Sequence, residues 1–309
     1  MITSNSNNLI GHKDLFSELF NLHDKNLLPS KLLFTGSKGI GKNLLSLHLI
    51  NYIFSIDEDF KYDKVKRKIN DNNKSNKLVI NNSHPNLINI ELKKDKKFID
   101  VNQIREINGF INKSSFNNQK KIILIDGVEN LNINAVNALL KNLEDSDENK
   151  IFILINNNII KIPKTLKSRC IVFKFHLTNK EVKDIVYNHF GIDYLNENLK
   201  NFQHYSFTPG FYIGLIDFLN EQNFDIQTIE VSEVFTHIFE KKLYKTNLFI
   251  KNNIKCLFQL FFLKNLNINN YNYFNLYKYF LEKLNNVINY NLDLDTFLID
   301  FKEKMLNGK

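Results

Sequence analysis

Short apolar runs alternate with amphipathic stretches over residues 1–177. The runs contain few polar residues, which is typical of parallel strands buried on both faces. The stretches between them have the periodicity of amphipathic helices. We therefore predict an α/β domain whose parallel sheet is covered by helices on both faces. Its strands are expected near Leu32 and at residues 87–91, 122–125, 151–155 and 171–175.

The pattern becomes entirely helical after residue 177. Thr178 has the character of a helix N-cap, and Glu181 three residues later completes a capping box. We predict a small helical lid domain at 178–224. Beyond it, Phe, Tyr, Leu and Ile recur at three- and four-residue spacing, which predicts an all-α domain at 225–309.

Composition is that of a globular protein, with 309 residues and 43% hydrophobic content. No apolar run approaches the length of a membrane helix, and the polar N-terminus lacks a signal-peptide pattern. The two cysteines, Cys170 and Cys256, do not form a disulfide framework. These features predict a protein of the reducing cytoplasm with no membrane partner.

The net charge of +8 favours nucleic acid as a partner, but the basic residues are unevenly spread. Residues 61–77 alone carry seven basic and two acidic side chains. This stretch is poor in apolar residues, so we predict a mobile loop without zinc. The whole chain is also rich in Asn, Lys and Ile, which weakens Lys as a functional signal.

A phosphate-loop pattern, G-x-x-x-x-G-K-[ST], is followed from Gly36 through Gly39, Gly41 and Lys42. It fails at its last position, where Asn43 replaces the hydroxyl residue that ligates Mg²⁺. A short apolar strand precedes the loop and a helix follows it, as the motif requires. The glycines let backbone N–H groups turn toward a phosphate, and the lysine adds a point charge.

The acidic strand end that accompanies a phosphate loop in nucleotide sites is altered as well. The apolar strand 121–126 ends in Asp126, which could help to hold a metal. Gly127 stands where hydrolysing relatives carry a glutamate, and the nearest acid is Glu129. We predict a degenerate nucleotide site with no required cofactor and no dedicated metal centre. The sequence does not decide whether ATP binds there. Its residues are Gly36, Gly39, Gly41, Lys42, Asn43 and Asp126.

Arginine is rare in this chain, with Arg67, Arg105 and Arg169 its only examples. Arg169 lies in the segment Lys167–Cys170, after a short helix predicted near Pro163. Its planar fork of donors suits contacts to a phosphoryl group in the transition state. The alternative is a local structural ion pair.

Several further segments occur in an order that is specific to one family. With the phosphate loop and the strand 121–126, the chain resembles the delta-prime family of bacterial DNA polymerase III clamp-loader subunits, which are AAA+ proteins. The resemblance covers roughly residues 8–216. The matching segments are 32–42, His84–Leu87, Val101–Arg105, KIILID at 121–126, Asn134–Glu144, Ser168–Cys170 and Thr208–Gly210.

The resemblance implies a subunit of a pentamer that opens the sliding clamp and places it on primer-template DNA. The expected partners are the motor subunits and the wrench-like delta subunit, with the last helical domain in a ring-shaped collar. Arg169 would act as an arginine finger in the ATP site of the neighbouring motor subunit. The family also places a sensor-1 polar residue among Asn156–Asn158, although a plain strand-ending turn explains them equally well.

Two departures from the family pattern stand out. The cysteine-rich zinc module of many relatives is replaced by the segment 61–77, and residues 211–213 lack the sensor-2 arginine of hydrolysing AAA+ proteins. Two other functions remain open, an active AAA+ ATPase such as the motor subunit and a stand-alone DNA-binding P-loop protein. Asn43 and Gly127 argue against the first, and the lack of a base-reading motif argues against the second.

Overall fold

A computed structural model describes most of the chain, and its residues form two compact units. The first is drawn from Met1–Ile185 and Thr208–Gly210, and the second from Val186–Phe207 and Phe211–Lys309. The division of the sequence at residues 178 and 225 stays a prediction. The described residues are 7–93, 96–145, 147–158, 161–195, 207–226, 228–264, 271–290 and 292–306.

The first unit contains a five-stranded sheet in the order β2-β3-β4-β1-β5, with all neighbouring strands parallel. The strands lie where the apolar runs predicted them, which confirms the expected α/β fold. Their bounds are β1 Lys31–Thr35, β2 Leu87–Ile90, β3 Lys121–Asp126, β4 Lys150–Asn156 and β5 Ile171–Lys174.

Among the described residues, six α-helices lie wholly within the first unit, α1 Lys13–Asp24, α2 Lys42–Phe54, α3 Lys74–Ile80, α4 Val101–Ile111, α5 Ile133–Glu144 and α6 Lys164–Lys167. Three of them begin at side-chain caps that the sequence contains, namely α4, α5 and α3, the last of which is capped by Asn73. Asp100 and Gln103 form a reciprocal capping box at α4, and Asn132 accepts from the Ala135 N–H at α5. These caps satisfy N–H groups that have no partner inside the helix.

Consecutive strand residues pack into different cores, because side chains alternate between the two faces of a sheet. Leu32 and Phe34 of β1 join the cluster that contains residues of α1 and α2. Leu33 joins the cluster on the other face, with residues of α4 and α5. All three side chains are at most 1% exposed. The sheet therefore lies between two packed layers of side chains, and these layers fix the positions of the strand ends.

The segment 61–77 is folded, so the prediction of a mobile loop there was wrong. Ile69 donates its N–H to Asn7 O at 2.8 Å, and Tyr62 and Ile69 are buried. Asn73 is fully buried, caps α3 by accepting from the Asn76 N–H, and donates its Nδ2 to Phe60 O at 2.9 Å. A few apolar anchors and one satisfied amide order a segment whose average composition is that of a loop.

The remaining helices are α7 Asn179–Phe190, α8 Pro209–Glu221, α9 Val231–Glu240, α10 Leu243–Thr246, α11 Leu248–Lys264, α12 Tyr271–Tyr290 and α13 Leu294–Phe301. The core of the second unit is aromatic. The fully buried Phe301 ring lies 4.6 Å from the ring of Phe258 and 5.7 Å from that of Phe235, measured between centroids. Among the described residues, no helix is long and apolar enough to cross a membrane.

Candidate functional site: the phosphate loop and Arg169

The phosphate loop connects the end of β1 to the start of α2. Gly39 and Gly41 have φ angles of 80° and 102°, a left-handed conformation that side chains other than glycine rarely adopt. A Cβ atom on Gly36 would lie 2.7 Å from the carbonyl oxygen of Phe175. The three glycines predicted from the motif are therefore required by the path of the backbone itself.

Lys42 folds back onto its own loop instead of extending into solvent. Its Nζ donates to Gly36 O at 2.8 Å and to Ser37 O at 2.7 Å, and the residue is only 3% exposed. Burial lowers the pKa of this ammonium from 10.5 to about 8, and the nearby carboxylates of Asp126 and Glu129 oppose that shift. The charge that the motif offers to a phosphate is here paired with backbone carbonyl groups.

Asn43 and Asp126 contact each other directly. The Nδ2 group of Asn43, in the first turn of α2, donates to Asp126 Oδ2 at the end of β3, at 2.7 Å. In the motif these two positions carry the hydroxyl and the carboxylate that hold Mg²⁺. An amide N–H is a donor and does not ligate a cation. The pair thus satisfies one oxygen of the carboxylate without a metal, and Asn43 presents an N–H to Asp126 where the motif has a hydroxyl.

Gly127 has a backbone conformation that disfavours the glutamate of hydrolysing relatives. Its φ is 82°, and a Cβ atom there would lie 2.7 Å from Asn130 Nδ2. The nearest acid, Glu129, is 8% exposed, and its two carboxylate oxygens accept from the Asn157 N–H at 3.2 Å each. This carboxylate is held by the turn after β4.

The polar residues that follow β4 form a hydrogen-bonded turn. Asn158 Oδ1 accepts from Thr35 Oγ1 at 2.7 Å and from Asn156 Nδ2 at 3.0 Å. Its own N–H donates to Asn156 Oδ1, and its φ is 56°. The turn ties the end of β4 to the residue before the phosphate loop. Of the two alternatives that the sequence left open, the strand-ending turn is present, and a sensor-1 role for these residues stays a prediction.

Two other segments brace the loop. The Gly210 N–H donates to Gly39 O at 3.0 Å, and a Cβ atom on Gly210 would lie 2.9 Å from Gly39 Cα. His12 places its Nε2 2.7 Å from Ile40 O, and burial lowers the pKa of this imidazole. The segment Thr208–Gly210 thus packs onto the loop. The sequence pattern singled out this segment as a turn, whereas Pro209 and Gly210 begin α8, and it gave no sign of the His12 contact.

Arg169 follows α6 and forms hydrogen bonds outside the phosphate-loop cluster. Its Nε donates to Glu144 Oε1 at 2.8 Å, one terminal nitrogen donates to the same oxygen, and the other donates to Thr165 O at 2.9 Å. The Arg169 side chain is 36% exposed and that of Glu144 52%. The local ion pair kept as the alternative is present. The structure brings Lys42, Asn43 and Asp126 together and holds Arg169 separately.

The chain is similar to known subunits of DNA polymerase III. The family model described as DNA polymerase III, delta subunit, matches residues 11–179. The DNA polymerase III subunit delta′ of Buchnera aphidicola subsp. Schizaphis graminum is 33% identical over 163 residues, which are 52% of this chain and 47% of that protein. Its counterpart from Buchnera aphidicola subsp. Baizongia pistaciae is 30% identical over 174 residues, 55% and 49% of the two chains.

The chain spans about half the length of these curated relatives. A DNA polymerase III, gamma subunit-related protein from Thermotoga maritima superimposes with a TM-score of 0.52 at 17% identity, covering 91% of this chain and 96% of that one. This likeness shows the fold alone, a parallel α/β unit with helices after it. Because the family model spans more than half of the chain, the chain belongs to the DNA polymerase III delta subunit family, among members of the delta-prime type.

Proposed function

We propose that this chain is a cytoplasmic clamp-loader subunit in DNA replication that contributes to ATP hydrolysis without hydrolysing ATP itself. It assembles with the motor and delta subunits, and the complex loads the sliding clamp onto primer-template DNA. Support comes from the family match at residues 11–179 and from relatives that are named as DNA polymerase III subunits.

One observation carries the non-hydrolysing part of the proposal, the hydrogen bond from Asn43 Nδ2 to Asp126 Oδ2 at 2.7 Å. It pairs one oxygen of the carboxylate that would hold Mg²⁺ with an amide donor. Gly127 lacks the carboxylate that would orient the attacking water, and its left-handed backbone disfavours a replacement. Positioning of metal and water accounts for most of the catalysis in phosphoryl transfer. A site without either group retains the shape of an ATPase but lacks the parts for turnover.

The proposed contribution to chemistry is Arg169, acting on ATP bound to a neighbouring subunit. Among the described residues its guanidinium donates three of its five N–H hydrogens, one from Nε and one from each terminal nitrogen. One N–H on each terminal nitrogen is left for an incoming phosphate. Charge that develops on the transferring phosphoryl group would be stabilised by this fork, which stays protonated at neutral pH.

Turnover by the isolated chain tests the first part. We expect the purified protein to release phosphate from Mg²⁺-ATP no faster than buffer does. Lys42→Ala serves as the contamination control, since a contaminating ATPase would persist in that preparation. Mg²⁺-dependent turnover that is lost in Lys42→Ala would contradict the non-hydrolysing assignment.

Reconstitution with the cognate motor and delta subunits tests the second part. Arg169→Ala should assemble normally and lower the clamp- and DNA-stimulated ATPase by roughly 10³–10⁵-fold, as loss of a finger does. Assembly is checked by size, and turnover is expressed per assembled complex. Lys167→Ala, an exposed cation two residues away, is the matched control. Full turnover in an assembled Arg169→Ala complex would leave this chain only a scaffolding role.

A further inference from the structure

Glu144 is the last residue of α5, where a carboxylate is electrostatically unfavourable. The helix dipole places partial negative charge at that end, so cations are favoured there and anions are not. Asp145 follows directly, and Asp147 and Glu148 lie close behind in sequence, which adds to the negative potential. A glutamate at this position therefore needs a compensating partner, and the structure supplies Arg169.

The contact fixes the plane of the guanidinium from two sides. Glu144 Oε1 accepts from Nε and from one terminal nitrogen, while Thr165 O accepts from the other terminal nitrogen. The acceptors come from α5 and α6, two helices that contact each other. A flexible side chain is thereby held in one orientation, with an N–H on each terminal nitrogen still available.

We propose that Glu144 is a positioning residue for Arg169. It immobilises the guanidinium before the neighbouring subunit's ATP arrives, so that less rotamer freedom is lost when the fork meets the phosphoryl group. Glu144 itself touches no nucleotide. The inference rests on the proposed finger role of Arg169 and adds a residue and a physical mechanism to it.

A purely structural role for the pair leads to a different expectation. Both side chains are more than a third exposed, and ion pairs of that kind contribute little to stability. Removing Glu144 should therefore leave folding and assembly unchanged. A change in catalytic turnover without a change in stability would be the signature of positioning.

The test measures ATPase kinetics of the reconstituted complex with Glu144→Ala, Glu144→Gln, Arg169→Ala and the double variant Glu144→Ala/Arg169→Ala. We expect Glu144→Ala to lower turnover at saturating ATP about tenfold, with little change in KM. Glu144→Gln, whose side-chain oxygen still accepts, should recover most of the loss. The double variant should match Arg169→Ala alone, since Glu144 acts only through Arg169.

Asp147→Ala is the matched control, because Asp147 is an exposed acid near α5 that pairs with Lys150. It should behave as wild type. Unchanged or increased turnover in Glu144→Ala, with Arg169→Ala still impaired, would overturn the positioning role alone. Normal turnover in Arg169→Ala would overturn the finger and the positioning role together. Reduced assembly or thermal stability that accounts for the whole loss would also overturn the inference.

Discussion

The phosphate loop and Arg169 carry the two kinds of cation that a nucleotide site uses, and the fold treats them in opposite ways. Lys42 is 3% exposed and donates to carbonyl groups of its own loop, and its neighbour Asn43 is bonded to Asp126. Arg169 is held from two sides, yet its side chain is 36% exposed, and two of its N–H hydrogens have no acceptor within the described part of the chain. Polar groups whose hydrogen bonds are all made within the chain maintain its fold. A group with N–H hydrogens left over can bind another molecule.

The largest expected effect comes from replacing each of the two cations in turn in the reconstituted clamp loader. Arg169→Lys should lose most of the roughly 10³-fold or larger finger effect, since an ammonium keeps the charge but loses the planar fork. Lys42→Met should leave turnover per assembled complex close to wild type. ATP turnover with assembly checked by size is the measurement. The reverse ranking of the two variants would reassign the chemistry to the phosphate loop.

The charge state of Lys42 can be tested on the isolated chain, where the expected effect is a smaller change in the free energy of unfolding with pH. Burial lowers its pKa in the folded state to about 8, against 10.5 ordinarily. Between these pH values the unfolded chain binds more protons at this site, so stability rises with pH. Relative to Lys42→Met, the wild-type free energy of unfolding should increase by about 3 kcal/mol across that window.

Denaturant unfolding at several pH values from 7 to above 10 measures this difference, with the exposed Lys77→Met as the matched control. Parallel curves for wild type and Lys42→Met would show that Lys42 has the same pKa in the folded and the unfolded chain. A phosphate-bearing ligand retained on the loop would produce that result, because an anion favours the charged form.

The smallest expected effect concerns Asn73, which like Asn43 is satisfied within the chain. Asn73→Ala removes the cap of α3 and the donor to Phe60 O, so it should lower the free energy of unfolding by about 1–3 kcal/mol. The exposed Asn72→Ala is the control, and thermal unfolding is the measurement. Equal stability of the two variants would return the segment 61–77 to the mobile loop that its composition indicates.

Local patterns predicted the elements of this fold well. The five apolar runs are the five strands, the short helix after Pro163 is present, and the capping box at Thr178 and Glu181 forms as expected. Each of these depends on residues that are close in sequence. The family match confirms the recognition that the ordered segments supported.

Contacts between distant segments were beyond the reach of those patterns. Asn43 and Asp126 are 83 residues apart, and Arg169 and Glu144 are 25 apart. The sequence indicated each residue separately, but only the sheet order and helix packing decide which side chains meet. Composition also failed at residues 61–77, because averaging hid the few buried anchors that order that segment.

The close approach of Gly39 and Gly210 has a consequence for selection. Substitution at either position would push a Cβ atom into the other segment, whether or not a phosphate is ever bound. Gly36 is constrained in the same way by Phe175. Purifying selection on packing can therefore preserve the glycine signature of a phosphate loop for as long as the segment Thr208–Gly210 is needed. In such a lineage the motif shows only that an ancestor had a phosphate loop. Replacing its glycines one at a time would then change the stability of the fold and would not report on nucleotide binding.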